Sequence, residues 1–293
     1  MTTMKLSDHL PEETEIIRDG NFSSLGTLYS SNPSQVVYIT RGDDVNKVRS
    51  NRTISCVITT PSLATDLPPH LGVAVARDPR QAFYHLQAAL NKNPEFSLPS
   101  FTSRISSSAK IHPSATISPR NVDIGQDVVI EKNVRICEHS VIDEGSVIRS
   151  NSIIGEMPVI SPELGQTITP SGGVHLHRET DIHANIVINR AVFHGYTEIG
   201  EQTKIDNLSV IGQGTVIGDR CLLCGGVSLG EFVKIGDDGW IGPNAIIADQ
   251  VFIGKNVYIT IGSRVTRDIS DGMVAKDNFV LDRKRFSKVL RGM

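Results

Sequence analysis

Every sixth residue from Ile199 to Val265 is aliphatic, in the unbroken series Ile199, Ile205, Ile211, Ile217, Leu223, Leu229, Ile235, Ile241, Ile247, Ile253, Ile259 and Val265. A helix repeats every 3.6 or so residues and a pleated strand about every two, so neither demands this spacing. A hexapeptide repeat wound into a parallel β-helix does. The residue two places before each aliphatic one is small or β-branched, as at Thr203, Ser209, Thr215, Cys221 and Ala245, which gives a second inward position in each repeat. The residue after it is often glycine, as at Gly200, Gly212, Gly218, Gly230 and Gly242, where a Cβ would crowd a sharp corner. Three such faces make one triangular coil of about 18 residues.

The same period runs earlier through Ile105, Ile111 and Ile117. After a one-residue slip it continues through Ile124, Ile130, Ile136, Ile142, Ile148 and Ile154, and it returns at Leu176, Ile182 and Ile188. Two interruptions remain. Residues 155–175 carry Pro158, Pro162, Pro170, Gly172 and Gly173 and read as a loop thrown out of the prism. From Ile188 to Ile199 the step is 11 residues, through Asn189-Arg190-Ala191-Val192-Phe193-His194-Gly195-Tyr196. Loops on a rigid scaffold are where binding concentrates.

Ahead of the prism the pattern changes. Val36–Ile39, Ile54–Ile58 and Val73–Val75 read as short strands ended by turn residues or proline. Asp78-Pro79 opens a helix with Asp78 as N-cap, and Phe83, Leu86 and Leu90 form its buried stripe. The organisation expected is mainly β. A small α/β domain occupies residues 1–98, a parallel β-helix 99–268, and a short helical appendage 269–293. In the last of these, Val280, Phe286, Val289 and Leu290 alternate with basic residues to make a cap or a contact for an acidic partner.

A net charge of -3 and a pI near 6.3 argue against a nucleic-acid partner. No apolar run approaches the roughly 18 residues that span a membrane, and the polar, acidic N-terminus is unlike a signal sequence, so a cytoplasmic protein is expected. Cys221 and Cys224 form a CxxC, but no second ligand pair accompanies it and Cys221 falls in the small inward slot, which reads as packing.

On these residues the chain resembles the lipid A N-acyltransferase (LpxD-like) family, which acylates the amine of a nucleotide-linked sugar. The resemblance rests on the Asp78-Pro79 helix, a His112-Pro113-Ser114-Ala115 lead-in, the loop closed by Gly172-Gly173-Val174 and, most specifically, Thr203-Lys204-Ile205-Asp206-Asn207. It implies a left-handed coil, against the usual crossover hand. It further implies a homotrimer with sites in the clefts between prisms, and a cytoplasmic N-acyltransferase of surface polysaccharide synthesis. The family's longer helical appendage engages acyl carrier protein, and the shorter tail here tilts the expected donor to acyl-CoA as cosubstrate, with no bound cofactor and acyl carrier protein as the other donor of this chemistry.

The family's general base is a histidine, and Gln213 stands at that position, with Gln250 at that of a second histidine. An amide takes no proton at neutral pH. Acyl transfer from a thioester retains the roughly 7–11 kcal/mol that positioning supplies, against about 10²–10⁴-fold from a base. His194, in the irregular stretch, is the expected substitute base, Asp206, matching the family's aspartate, orients the sugar or the amine, and Gln213 hydrogen-bonds the amine or the thioester carbonyl. Corner slots that depart from glycine concentrate at His177, His183, Asn189 and Asp206; His177, His183, Asn189, Arg190 and Asn207 are expected substrate contacts, and Tyr38 matches a family aromatic that stacks on the nucleotide base. Gly230, Glu231 and Gly242 match the donor and oxyanion positions. His175, His177 and His183 lack the His…HxxxxH spacing of the zinc-dependent carbonic anhydrases built on this prism, so no metal is expected. The other readings open at this point are a catalytically inactive nucleotide-sugar-binding relative and a sugar O-acetyltransferase.

Overall fold

The computed structural model describes residues 3–11, 13–30, 32–93, 96, 98–157, 170–277 and 279–282. The chain divides into two units, Met1–Leu98 with Val159–Ser171, and Pro99–Pro158 with Gly172–Met293.

In the first unit a five-stranded sheet carries, in spatial order, Glu15–Arg18, Gly72–Val75, Ile54–Thr59, Gln35–Tyr38 and Ser24–Leu25, parallel throughout except for the first pair. The helix Pro79–Leu90 begins as read, since Asp78 accepts a hydrogen bond from the Gln81 N–H at 3.0 Å. Its Phe83, Leu86 and Leu90 are buried.

The second unit is a prism of three parallel sheets. The first face runs from Arg104–Ile105 to Phe252–Ile253 in eight strands, and the second starts at Lys110–Ile111. The third runs from Thr116–Ile117 to Arg264–Val265, again in eight strands. Each aliphatic residue stacks on its counterpart one coil away: on the second face Ile148, Ile182, Ile205, Leu223, Ile241 and Ile259 form one column. All six are buried, and each contributes on the order of 1.5–3 kcal/mol by leaving water. The small slot between them is equally dry, and its Thr hydroxyls bond to a neighbouring coil, Thr203 to the Gly218 carbonyl at 2.7 Å and Thr180 to Ser146 at 3.1 Å. Cys221 occupies this slot, and burial pushes its thiol up to about 11.

The corner glycines are needed for close approach, while the left-handed residue comes two places later. It recurs every six residues, at Gln202, Leu208, Gly214, Arg220, Gly226, Phe232, Asp238 and Asn244. Both interruptions of the period fall at the edge between the third and first faces. One lies between Ile153–Glu156 and Gly173–Leu176, the other one coil on, between Val187–Asn189 and Tyr196–Ile199.

The expected C-terminal helix is corrected over its described part. Met273–Lys276 adds in parallel to the second face, and Phe279–Asp282 pairs antiparallel with it. Extended backbone wins here because Val274 and Ala275 continue the column above Tyr258 and Ile259, an edge with open hydrogen bonds that a helix would leave unpaired. Phe286, Val289 and Leu290 lie outside the described residues. No helix among the described residues is long and apolar enough to cross a membrane.

Candidate functional site

The period that builds the prism also distributes its corner residues over three parallel edges, because successive corners fall on successive edges. Asn189, Arg190, His194, Gln213, Gly230 and Glu231 share the edge between the third and first faces. His183, Asp206, Asn207 and Gly242 lie on the edge between the second and third, and His177 on that between the first and second. A six-residue face at roughly 3.3 Å per residue sets neighbouring edges on the order of 15–20 Å apart. Gln213 and Asp206 therefore do not meet within one chain.

On the edge between the third and first faces, Arg190 is buried and donates through Nε and Nη2 to the Gly172 carbonyl at 2.9 and 2.6 Å, which pins the return of the 155–175 excursion. Burial holds its guanidinium below the ordinary range. Gly172 has no room for a side chain, since a Cβ would stand 2.7 Å from the Gly195 carbonyl oxygen. His194 is half-buried, and that burial lowers its pKa, which favours the neutral imidazole. Gln213 is 2 % exposed, and its Oε1 finds no hydrogen-bond partner among the described residues. Beside it the Phe232 ring, on a residue forced to φ 55°, stacks on Phe193 with centroids 5.5 Å apart and occupies the space a Cβ on Gly214 would need.

His139 belongs to the same edge and escaped the sequence reading. It fills a left-handed corner slot at φ 59°, is half-buried, and has its pKa lowered by burial and by the Arg190 charge. The signal was present as a histidine three residues after the inward Ile136, in the left-handed slot that Asn, Asp and Gly fill most often elsewhere in the prism.

The oxyanion expectation is corrected. The Gly230 N–H donates to the Ile247 carbonyl and the Glu231 N–H to Asp249 Oδ1, both at 2.9 Å, and the Gly242 N–H donates to Ile259 at 2.8 Å. Each amide is used by the ladder to the next coil, so none of the three is free to receive a developing negative charge.

The edge between the second and third faces carries a polar ladder. Glu131 contacts Arg149 at 3.7 Å, and Arg149 grips Asp181 through Nε and Nη2 at 3.1 and 3.0 Å. His183 then lies 3.5 Å from Asp181 and 3.4 Å from Asp206. Asp206 Oδ1 also accepts from the Asn207 backbone and side-chain N–H groups at 2.8 and 2.7 Å, while Asn207 Oδ1 accepts from the Ala184 N–H. His183 and Asp206, singled out separately in the sequence, thus form a pair. On the remaining edge His177 stacks against His175 with Asp143 between their nitrogens and Glu198 beyond. In the N-terminal unit Tyr38 is half-buried, its ring 5.2 Å from Phe83 and 6.4 Å from Tyr84.

No family model matches the chain. A segment of 58 residues, 20% of this chain, is 45% identical to a UDP-3-O-acylglucosamine N-acyltransferase of Oleidesulfovibrio alaskensis and covers 17% of that protein. A 57-residue segment, again 20% of this chain, is 46% identical to UDP-3-O-acylglucosamine N-acyltransferase 3 of Gloeobacter violaceus and covers 16% of it. The chain thus matches only about a sixth of the length of these relatives. Among solved structures, the UDP-N-acetylglucosamine acyltransferase from Campylobacter jejuni superposes on 64% of this chain and 82% of its own, with a TM-score of 0.51 and 23% identity. The prism is thus the left-handed β-helix of that structure, and the chain is LpxD-like in the segment it shares with the UDP-3-O-acylglucosamine N-acyltransferases.

Proposed function

We propose that the protein transfers an acyl group from a thioester, acyl-CoA in the first instance, to the amine of a nucleotide-linked amino sugar, in lipid A or surface polysaccharide synthesis. The relatives that share its sequence segment act on a UDP-linked acylglucosamine by their names, which supports an N-acyl transfer. The observation that carries the reading is Gln213. A buried amide oxygen without a partner costs on the order of 1–3 kcal/mol, and an amine N–H is a donor that would relieve it.

In this reading Gln213 Oε1 accepts one N–H of the neutral amine and turns its lone pair toward the thioester carbonyl. The C–N bond forms, the C–S bond breaks, and the amine proton passes to the neutral His194 and from it to the departing thiolate. Asn189 and Arg190 share this edge, and in this reading Asn189 contacts the nucleotide-sugar while Arg190, held on the Gly172 carbonyl, shapes the wall beside it. Asp206 and His183, on another edge, reach the same substrate only from a second copy, so the reading includes a homotrimer with each site between two prisms.

The test is to incubate purified protein with acyl-CoA, and in a parallel arm with acyl carrier protein thioester, across a panel of nucleotide-linked amino sugars while following thiol release. Turnover with one sugar is expected, and none with any of them overturns the proposal. A non-catalytic binding relative is favoured by one observation, the amides of Gly230 and Glu231 already spent in the coil. Nucleotide-sugar binding with no thiol release in either arm would select it.

A further inference from the structure

Asp143 and the two histidines lie on successive coils separated in the chain by the interruption between Glu156 and Gly173. His175 Nε2 is 2.9 Å from Asp143 Oδ2, His177 Nδ1 is 3.7 Å from the same oxygen, and the three donor atoms all lie within 4.8 Å of one another. The imidazole centroids are 3.9 Å apart. The histidines come together because they alternate with the inward Leu176 on one strand, and Asp143 joins them because the ladder pairs Ile142 with Leu176.

We propose that Asp143, His175 and His177 bind one zinc-class divalent cation. A tetrahedral ion with nitrogen and oxygen ligands at about 2.0–2.2 Å sets neighbouring donors about 3.3–3.6 Å apart, a spacing that the 2.9 and 3.7 Å separations bracket. Two imidazoles with one carboxylate suit zinc over magnesium or calcium, which prefer oxygen. Glu198 supplies the outer partner such a site uses. Its Oε2 lies 3.7 Å from His177 Nε2, so with Nδ1 on the metal the other ring nitrogen points at a carboxylate that fixes the tautomer.

The nearest cation on the same edge, Arg178, is paired with Glu144 and does not compete for Asp143. The ligands are one-quarter to one-third exposed, so an ion reaches them from solvent. The sequence argued against metal because the His…HxxxxH spacing is absent; here the third ligand is a carboxylate 32 residues from His175, and only coil stacking supplies it. The ion staples the coil before the excursion to the coil after it. Three protein ligands leave a fourth position for water or an incoming group.

The experiment is equilibrium dialysis and calorimetry of tag-free, chelator-treated protein with zinc chloride, repeated with cobalt(II) for its visible absorption. One zinc per chain at micromolar affinity or tighter, a tetrahedral cobalt spectrum and a higher Tm with zinc are expected. Asp143→Asn and His177→Gln should each weaken binding at least about tenfold, and Glu198→Gln, which alters no ligand, about tenfold. Substoichiometric binding, or affinity unchanged in both ligand variants, overturns the site. Unchanged affinity in Glu198→Gln alone overturns the orienting role. The readout is binding, so its failure is separate from any failure of acyl transfer.

Discussion

Gly200 and Gly218 pass so close on successive coils that a Cβ on Gly200 would stand 2.5 Å from the Gly218 carbonyl oxygen. Neither has an unusual φ, so the demand for glycine at this corner is spatial. Gly200→Ala is expected to destabilise the prism by about 1–3 kcal/mol through overpacking. Gly262, at φ 69° with open space around it, takes asparagine with little change. Denaturant melts of the two variants check the contrast, which disappears if both behave alike.

Leu208 is held at φ 65° with its side chain 68% exposed, so it carries backbone strain and little packing in return. Leu208→Asn should raise stability by about 1 kcal/mol, since asparagine tolerates the left-handed region. Phe232→Asn relieves the same strain but loses the stack on Phe193 and should gain nothing. Thermal denaturation of both variants tests this ordering.

Gln213→Leu removes the buried amide oxygen that has no partner among the described residues while keeping the volume similar. Stability is expected to rise by about 1 kcal/mol, and turnover to fall by at least about tenfold. Stability rising with turnover untouched would place the amide outside the chemistry.

Burial lowers the pKa of His194 and His139, so the unfolded chain binds protons at these positions more readily than the folded one. Stability from this source is fully present above the ordinary histidine value of about 6.5 and is lost as pH falls through it toward the folded values. Tm should therefore drop between about pH 7.5 and 5, and the double variant His139→Asn/His194→Asn should show a shallower drop. An identical slope would mean that neither ring is protected from protonation.

Much of this molecule is legible in the chain. The six-residue period places the prism, its dry columns and the slot filled by Cys221, because each inward position repeats against an equivalent position one coil away that must be apolar or small for the same reason. The Asp78 cap and the Phe83 stripe follow from local rules of the same kind. What the sequence could not determine is which corners face together. Asp206 pairs with His183, His139 comes to Arg190, and Asp143 joins His175 only when coils stack across breaks in the period. The amides of Gly230 and Glu231 are spent for a related reason, since the ladder to the next coil claims them. Likewise Phe279–Asp282 is a strand because the second face offers it an unpaired edge. Periodicity reports one residue's relation to the core, whereas contacts between edges depend on the summed length of every excursion between them, which only the folded chain adds up.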